Sequence, residues 1–491
     1  MTARAPCPPS IPPLARFRTM PASPSERPSH SPHSHTGAPS LQRRLGTFHL
    51  WGIAVGLVIS GEYFGWSYGW ATAGTLGFLI TTVMVALMYA ALIFSYTELT
   101  TSIPRAGGPF AYVLAAYGPV PAFIAGFASI VELVFAPPAI ALAIGAYLHV
   151  QYPSITAQMA ATGAYAIFMA LNIAGVSIAA TFELIVTIAA IVELLIFMAV
   201  VAPGFSWAHF IHDGWAGSDT FTPHAIIGIF AAVPFAIWFF LAIEGVAMTA
   251  EEAHAPQRTI PMAYIAGITT LMLLAFGVMI MAGGVGNWKL LANLNDPLPQ
   301  AMLSVVGPRS GYVHMLVWLG LFGLVASFHG IIMGYSRQIY AMAREGYLPA
   351  LLGRVHPRFG TPWAAILVGG SVGLVAIYAD QYVTIGGQPL TANIVTMSVF
   401  GALTMYVFAM GSLFRLRHTQ PHLHRPWRAP GYPIIPGFAL VAAVLSFMGM
   451  AISNPAAFGL YLLIMGTGVG MHLLARWQKN RATMEKDTAM H

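Results

Sequence analysis

The chain has 491 residues, of which 57% are hydrophobic and 8% charged, whereas a soluble domain carries about 25% charged residues. Apolar runs of about twenty residues recur nearly end to end, which excludes soluble enzymes and leaves an all-α polytopic protein in a lipid bilayer. The net charge is +6 and the only cysteine is Cys7, so a disulfide-stapled fold is excluded, and the placement of the charge, below, argues against a nucleic-acid partner.

Residues 1–45 are rich in Pro, Ser, His and Arg without apolar periodicity, and are expected to form a disordered cytoplasmic tail. They show neither a signal-peptide core nor an amphipathic transit helix, and Met20 is an alternative start. A transmembrane domain is expected over 46–478, divided into a first repeat at 46–203, a second at 224–414 and two last helices within 432–475. Residues 479–491 are expected to be a cytoplasmic tail.

Spans one to five are predicted at 48–68, 74–99, 121–150, 156–173 and 178–201, each long enough for a tilted helix. Pro137 and Pro138 are expected to kink the third, because neither donates a backbone hydrogen bond. A polar loop then leads to spans six to ten at 225–248, 260–285, 312–341, 363–379 and 393–414. After a basic loop, two final spans are predicted at 432–452 and 458–475. With the N-terminus inside, nearly every Arg and Lys falls in a cytoplasmic segment, while the outer loops hold Lys289 and Arg309. That asymmetry places both termini in the cytoplasm and the protein in the cytoplasmic membrane.

Two stretches break the apolar pattern at corresponding places. In span one, Ser60-Gly61-Glu62-Tyr63-Phe64-Gly65-Trp66 sets a carboxylate between glycines. In span six, Ile243-Glu244-Gly245 follows Trp238 in the same way. An ionisable residue at membrane depth costs at least ~2.5–3.5 kcal/mol and is retained mostly where it faces a cavity, a partner or a substrate. Paired interrupted helices in two halves point to a transporter's binding site.

Four further motifs occur in order: Pro104-Arg105-Ala106-Gly107-Gly108, Glu251-Glu252 with Pro256 to Pro261, Ser336 to Pro349, and Pro357-Arg358-Phe359-Gly360-Thr361-Pro362. Together they resemble the amino acid-polyamine-organocation (APC) superfamily of secondary transporters over about 430 residues. The resemblance implies a LeuT-type 5+5 inverted repeat of about twelve transmembrane helices, with helices one and six unwound around a central site. Within the superfamily, the segments around Glu62 and Glu244 most resemble ethanolamine permeases. Glu62 stands where amino acid transporters of the superfamily receive a substrate carboxylate, and Trp238 resembles the position whose ring covers the substrate. Span five has no lysine of the kind that some proton-coupled relatives place there.

The substrate-binding candidates are therefore Ser60, Gly61, Glu62, Tyr63, Trp238, Ile243, Glu244 and Gly245. For Glu62 the alternative is a helix-terminus residue held by free N–H groups; for Glu244, a structural tether of the break; for Trp238, packing. Glu132, Glu193 and His329 also lie at membrane depth, and Glu132 and His329 are the candidates for coupling. Glu98, Glu183, Glu251 and Glu252 are expected to pair with cytoplasmic arginines. No metal or nucleotide motif is formed, since the clusters His30, His33, His35 and His418, His422, His424 lack a scaffold, and no cofactor is expected.

The leading functional reading is a secondary transporter importing a small organic amine, most simply ethanolamine, by alternating access with a proton or sodium as the coupled ion. The alternative is an amino acid or polyamine permease or exchanger of the same superfamily. A membrane-embedded enzyme using Glu62 and His329 lacks the accompanying nucleophile or metal ligands.

Overall fold

The computed structural model describes residues 43–294, 296–307, 311–385 and 388–489. The expected histidine cluster at His30, His33 and His35, and most of the expected N-terminal tail, lie outside them. At its described start the chain is pinned: Arg44 and Leu45 donate backbone N–H bonds to the Glu252 carbonyl, and His254 donates back to Leu45.

The first span is built from α1 (Thr47–Gly56), α2 (Ser60–Tyr63) and the start of α3 (Trp66–Ser102). Gly74, at φ 70 and ψ 178, interrupts α3, so that first and second spans meet without a loop. A side chain there would collide with the Gly214 carbonyl. The chain continues through α4 (Pro109–Tyr117), α5 (Pro119–Gln151), α6 (Ala157–Ala174) and α7 (Val176–Val201). Pro137 and Pro138 lie inside α5 without splitting it.

After the short α8 (Trp207–Ile211), the sixth span is assembled from α9 (Pro223–Ala231), α10 (Val233–Trp238) and a 3-10 helix, Ile243–Glu252. Then follow α11 (Pro256–Gly283), α12 (Pro297–Val306), α13 (Gly311–Arg344), α14 (Trp363–Ala379), α15 (Leu390–Thr419), α16 (Ile434–Ser453) and α17 (Pro455–Ala489). A two-stranded ribbon, Thr384–Ile385 with Gln388–Pro389, precedes α15. The helix α12 lies between the predicted spans, and Leu298, Ala301 and Met302 are buried on one face of it.

Among the described residues, nine helices are long and apolar enough to cross a membrane. The broken first span, α13 and α14 bring the spans to the expected dozen. At the centre, α5 packs on both α13 and α15, α1 lies between α7 and α11, and α2 touches α13. The two interrupted helices thus sit inside the bundle, where protein covers the backbone groups that a break exposes.

Three of the expected cytoplasmic carboxylates find arginines. Glu252 pairs with Arg337 at 3.1 Å, both buried, and Glu251 pairs with Arg344 at 3.0 Å. Glu98 takes Arg417 and, at 3.2 Å, Arg425. Glu251 also accepts from the Ala106 N–H, so segments of three of the sequence motifs converge on one carboxylate. Glu183 departs from the expectation: its partner is His329 at 2.7 Å, and both side chains are fully buried. At the opposite ends of the spans, Lys289 pairs with Asp213 at 2.5 Å. That hydrogen bond holds the Asp213 carboxyl below its usual range.

Candidate substrate and coupling site

The first break has two stages. Ser327 of α13 inserts its hydroxyl into the helix, donating to the Gly56 carbonyl at 2.7 Å and accepting from the Ser60 N–H at 2.8 Å. Gly56 and Ser60 are the four-apart pair that a continuous α-helix would join directly. The chain then leaves the helix altogether at Phe64, which is extended, and Gly65, at φ 93 and ψ −47. Only glycine adopts that second conformation without strain. A Cβ on Gly65 would also sit 2.4 Å from the Trp238 ring.

The second break runs through the four residues after Trp238. Ala242 takes a left-handed conformation at φ 76, and the chain re-enters as the tighter 3-10 helix. The breaks touch: the Trp238 indole lies over Gly65, its ring meets Phe64 edge-on at 5.8 Å, and its carbonyl lies against Gly61. Between them is a cavity of about 10 Å³ lined by Ser60 and Trp238 with Val58, Ala136, Leu241 and Ile331. That is about the room one water needs, so the structure holds the region closed.

Among the remaining candidates, Glu62 does not line this cavity. Its side chain is fully buried, and neither carboxyl oxygen has a hydrogen-bond partner among the described residues. Tyr63 turns away from Trp238 and donates to Glu193 at 2.7 Å, also lying 3.0 Å from the Ala190 carbonyl of α7. Ile243 packs toward α11 at Gly267, and Gly245 admits Leu57 closely.

Glu244 is tethered. Its Oε2 accepts from the Tyr406 hydroxyl at 2.9 Å, and its carbonyl accepts from Tyr264 at 3.1 Å. Tyr406 in turn meets the Tyr89 hydroxyl at 2.9 Å. Glu132 of α5 is fully buried with no partner on either carboxyl oxygen among the described residues, while its carbonyl accepts from the Ser398 hydroxyl at 2.6 Å. His329 is separate from this group. Its pair with Glu183 sits behind the start of the first break, close enough that a Cβ on Gly56 would overlap the Glu183 carboxyl.

Sequence reading missed Ser327, Tyr406 and Tyr89. Each is a small or aromatic residue in an apolar helix, and nothing in the local pattern marks it. A larger cavity, about 430 Å³, opens beyond the closed region. Tyr68, Thr72, Phe235, Asn293, Asn393 and Thr396 line it. The Tyr68 and Phe235 rings meet there at 5.7 Å. Two ion pairs, Glu252–Arg337 and Glu98–Arg417, lie outside the lining of either cavity.

The amino acid permease family profile matches residues 45–469. The chain belongs to the amino acid permease family. An uncharacterized transporter of Rhizobium meliloti is 30% identical over 80% of this chain and 83% of its own length. A branched-chain amino acid permease of Bacillus subtilis is 26% identical over 87% and 92%. A solved nucleobase-cation-symport-1 family transporter, Mhp1, in a closed conformation with bromovinylhydantoin bound, superposes with a TM-score of 0.51 at 15% identity. The match covers 88% of this chain and 94% of that one, and gives this permease the LeuT-type fold expected from its motifs.

Proposed function

We propose that this permease imports a small organic amine, ethanolamine, across the cytoplasmic membrane by alternating access, with both termini in the cytoplasm. The observation that carries the reading is Glu62, a fully buried carboxyl with no partner on either oxygen among the described residues, set in the first break. A buried carboxylate without a partner is strongly unfavourable, and an ammonium group is the chemical class that compensates it. At an effective dielectric of about 20 and about 5 Å, an ionised Glu62 would repel a substrate carboxylate by roughly 3 kcal/mol, more than a hundredfold in affinity. Ser60 and Trp238 line the cavity; in this reading the Ser60 hydroxyl takes the alcohol, and the Trp238 face offers an ammonium about 0.5–2 kcal/mol. The 430 Å³ cavity serves as the outer vestibule in this reading, and the ion-paired end as the closed inner gate.

A second reading has its own support. Val58, Leu241 and Ile331 make much of the cavity wall apolar, which suits an aliphatic amino acid side chain, and one relative is named a branched-chain amino acid permease. Uptake of labelled ethanolamine, serine and leucine into proteoliposomes separates the two. Ethanolamine uptake by the wild type, lost in Glu62→Gln with weaker discrimination against serine, supports the amine reading. Leucine uptake without ethanolamine uptake establishes the second, and full amine transport by Glu62→Gln makes Glu62 structural.

A further inference from the structure

We propose that Glu193 is a positioning residue for transport: through the Tyr63 hydroxyl it fixes α2, the segment that carries Ser60, Gly61 and Glu62, against the wall made by α7 and α13. The proposal rests on the first break being part of the substrate site, and it holds whichever substrate is carried.

A helical piece as short as Ser60–Tyr63 does not hold its own shape, because starting a helix costs more than one turn returns. Its place is therefore set from outside. The start of α2 is held where the Ser60 N–H donates to Ser327 and Gly61 lies against the Trp238 carbonyl. Its end has no helix to continue into, since Phe64 is extended and Gly65 has φ 93. What holds the end is Tyr63. Its hydroxyl has one hydrogen to give and two acceptors in reach, Glu193 at 2.7 Å and the Ala190 carbonyl at 3.0 Å. Glu193 is the nearer, and the Ala190 carbonyl already serves the α7 helix.

The surroundings are shaped for this contact. Gly320 and Gly323 stand three apart on α13, on one face of that helix. A side chain on Gly323 would overlap the Tyr63 ring, and one on Gly320 would overlap the Tyr147 ring. The Tyr147 hydroxyl, from α5, donates to the Tyr63 carbonyl at 3.4 Å. Tyr63 is thus held by its side chain and by its backbone, from two different helices. Glu193 is 1% exposed, and its other oxygen, Oε1, has no partner among the described residues. It has no ion-pair partner among them either. Its one visible contact of this kind is Tyr63, the residue directly after Glu62. Loosening that contact leaves Ser60 and Glu62 present but less firmly placed, which weakens substrate binding without removing a ligand.

Uptake kinetics in proteoliposomes test this, with the substrate that the wild type carries among labelled ethanolamine, serine and leucine. Tyr63→Phe removes only the hydroxyl and should raise KM about tenfold with kcat little changed. Glu193→Leu should also raise KM, whereas Glu193→Gln, whose amide oxygen still accepts, should stay within about twofold of the wild type. In the Tyr63→Phe background, Glu193→Leu should add nothing further. A wild-type KM in Tyr63→Phe overturns the proposal, including when its thermal midpoint falls, because the contact then supports only the fold. Glu193→Gln as impaired as Glu193→Leu overturns it too, since the charge rather than the acceptor is then required. So does an undiminished effect of Glu193→Leu in the Tyr63→Phe background. If the wild type carries leucine and not ethanolamine while these variants behave as expected, the substrate assignment falls and the role of Glu193 stands.

Discussion

The two breaks face the same difficulty and meet it differently. In span one the helical bond between Gly56 and Ser60 is replaced by a hydroxyl from another helix, and the glutamate that follows has no partner among the described residues. In span six a left-handed alanine makes the turn, and the glutamate that follows is held by Tyr406. One acid has no hydrogen-bond partner among the described residues; the other is tethered by a tyrosine. Similar sequence signals, an acid beside a glycine in an apolar run, therefore serve different ends because their surroundings differ.

Substitutions on each side sharpen that contrast. The largest stability effect is expected at the far end of the broken sixth span, where Arg337→Ala would leave Glu252 charged, buried and alone. Breaking such a pair costs about 3–5 kcal/mol, measurable by denaturant unfolding in micelles. A cost near zero would mean that Glu252 does not need its partner. Next is Gly65→Ala in the first break: strained backbone of this kind costs on the order of 1–3 kcal/mol, and the added methyl displaces Trp238. Transport should be lost with it. A fully active Gly65→Ala protein would show that contact between the breaks is dispensable.

Ser327→Ala should cost about 1–3 kcal/mol by leaving the Gly56 carbonyl and Ser60 N–H without their shared partner. Ser327→Thr, which keeps the hydroxyl, should restore the thermal midpoint. If alanine is as stable as the wild type, the two backbone groups have closed on each other and the first stage of the break is not imposed by α13. The smallest effect is expected for Tyr406→Phe, which removes one hydrogen bond to Glu244, about 0.5–1.5 kcal/mol. A much larger loss would mean that the second break as a whole depends on the Tyr406 tether.

The span order, both breaks and three of the carboxylate–arginine pairs were legible in the sequence. Apolar run length reports membrane crossing, and an acid or glycine within such a run reports an exception to it. The partner of each exception was not legible. Glu183 read as another cytoplasmic acid, yet it pairs with His329. Tyr63 read as a site aromatic, yet its hydroxyl reaches Glu193. Glu62 reads as the cation ligand and is buried without a partner among the described residues, but the cavity beside it is lined by Ser60 rather than by Glu62.

By itself, then, the sequence determined that the chain is a bundle of membrane helices with two interrupted members, because the bilayer imposes strict length and polarity rules on every span. What it left open, and the tertiary structure decided, is which face of each helix meets which neighbour. Most side chains inside such a bundle are apolar on every side, so periodicity does not orient the helix, and partners far apart in sequence are set by packing. Ser327 at Gly56 and Tyr406 at Glu244 are contacts of that kind, and the second separates a tethered acid from one without a partner among the described residues.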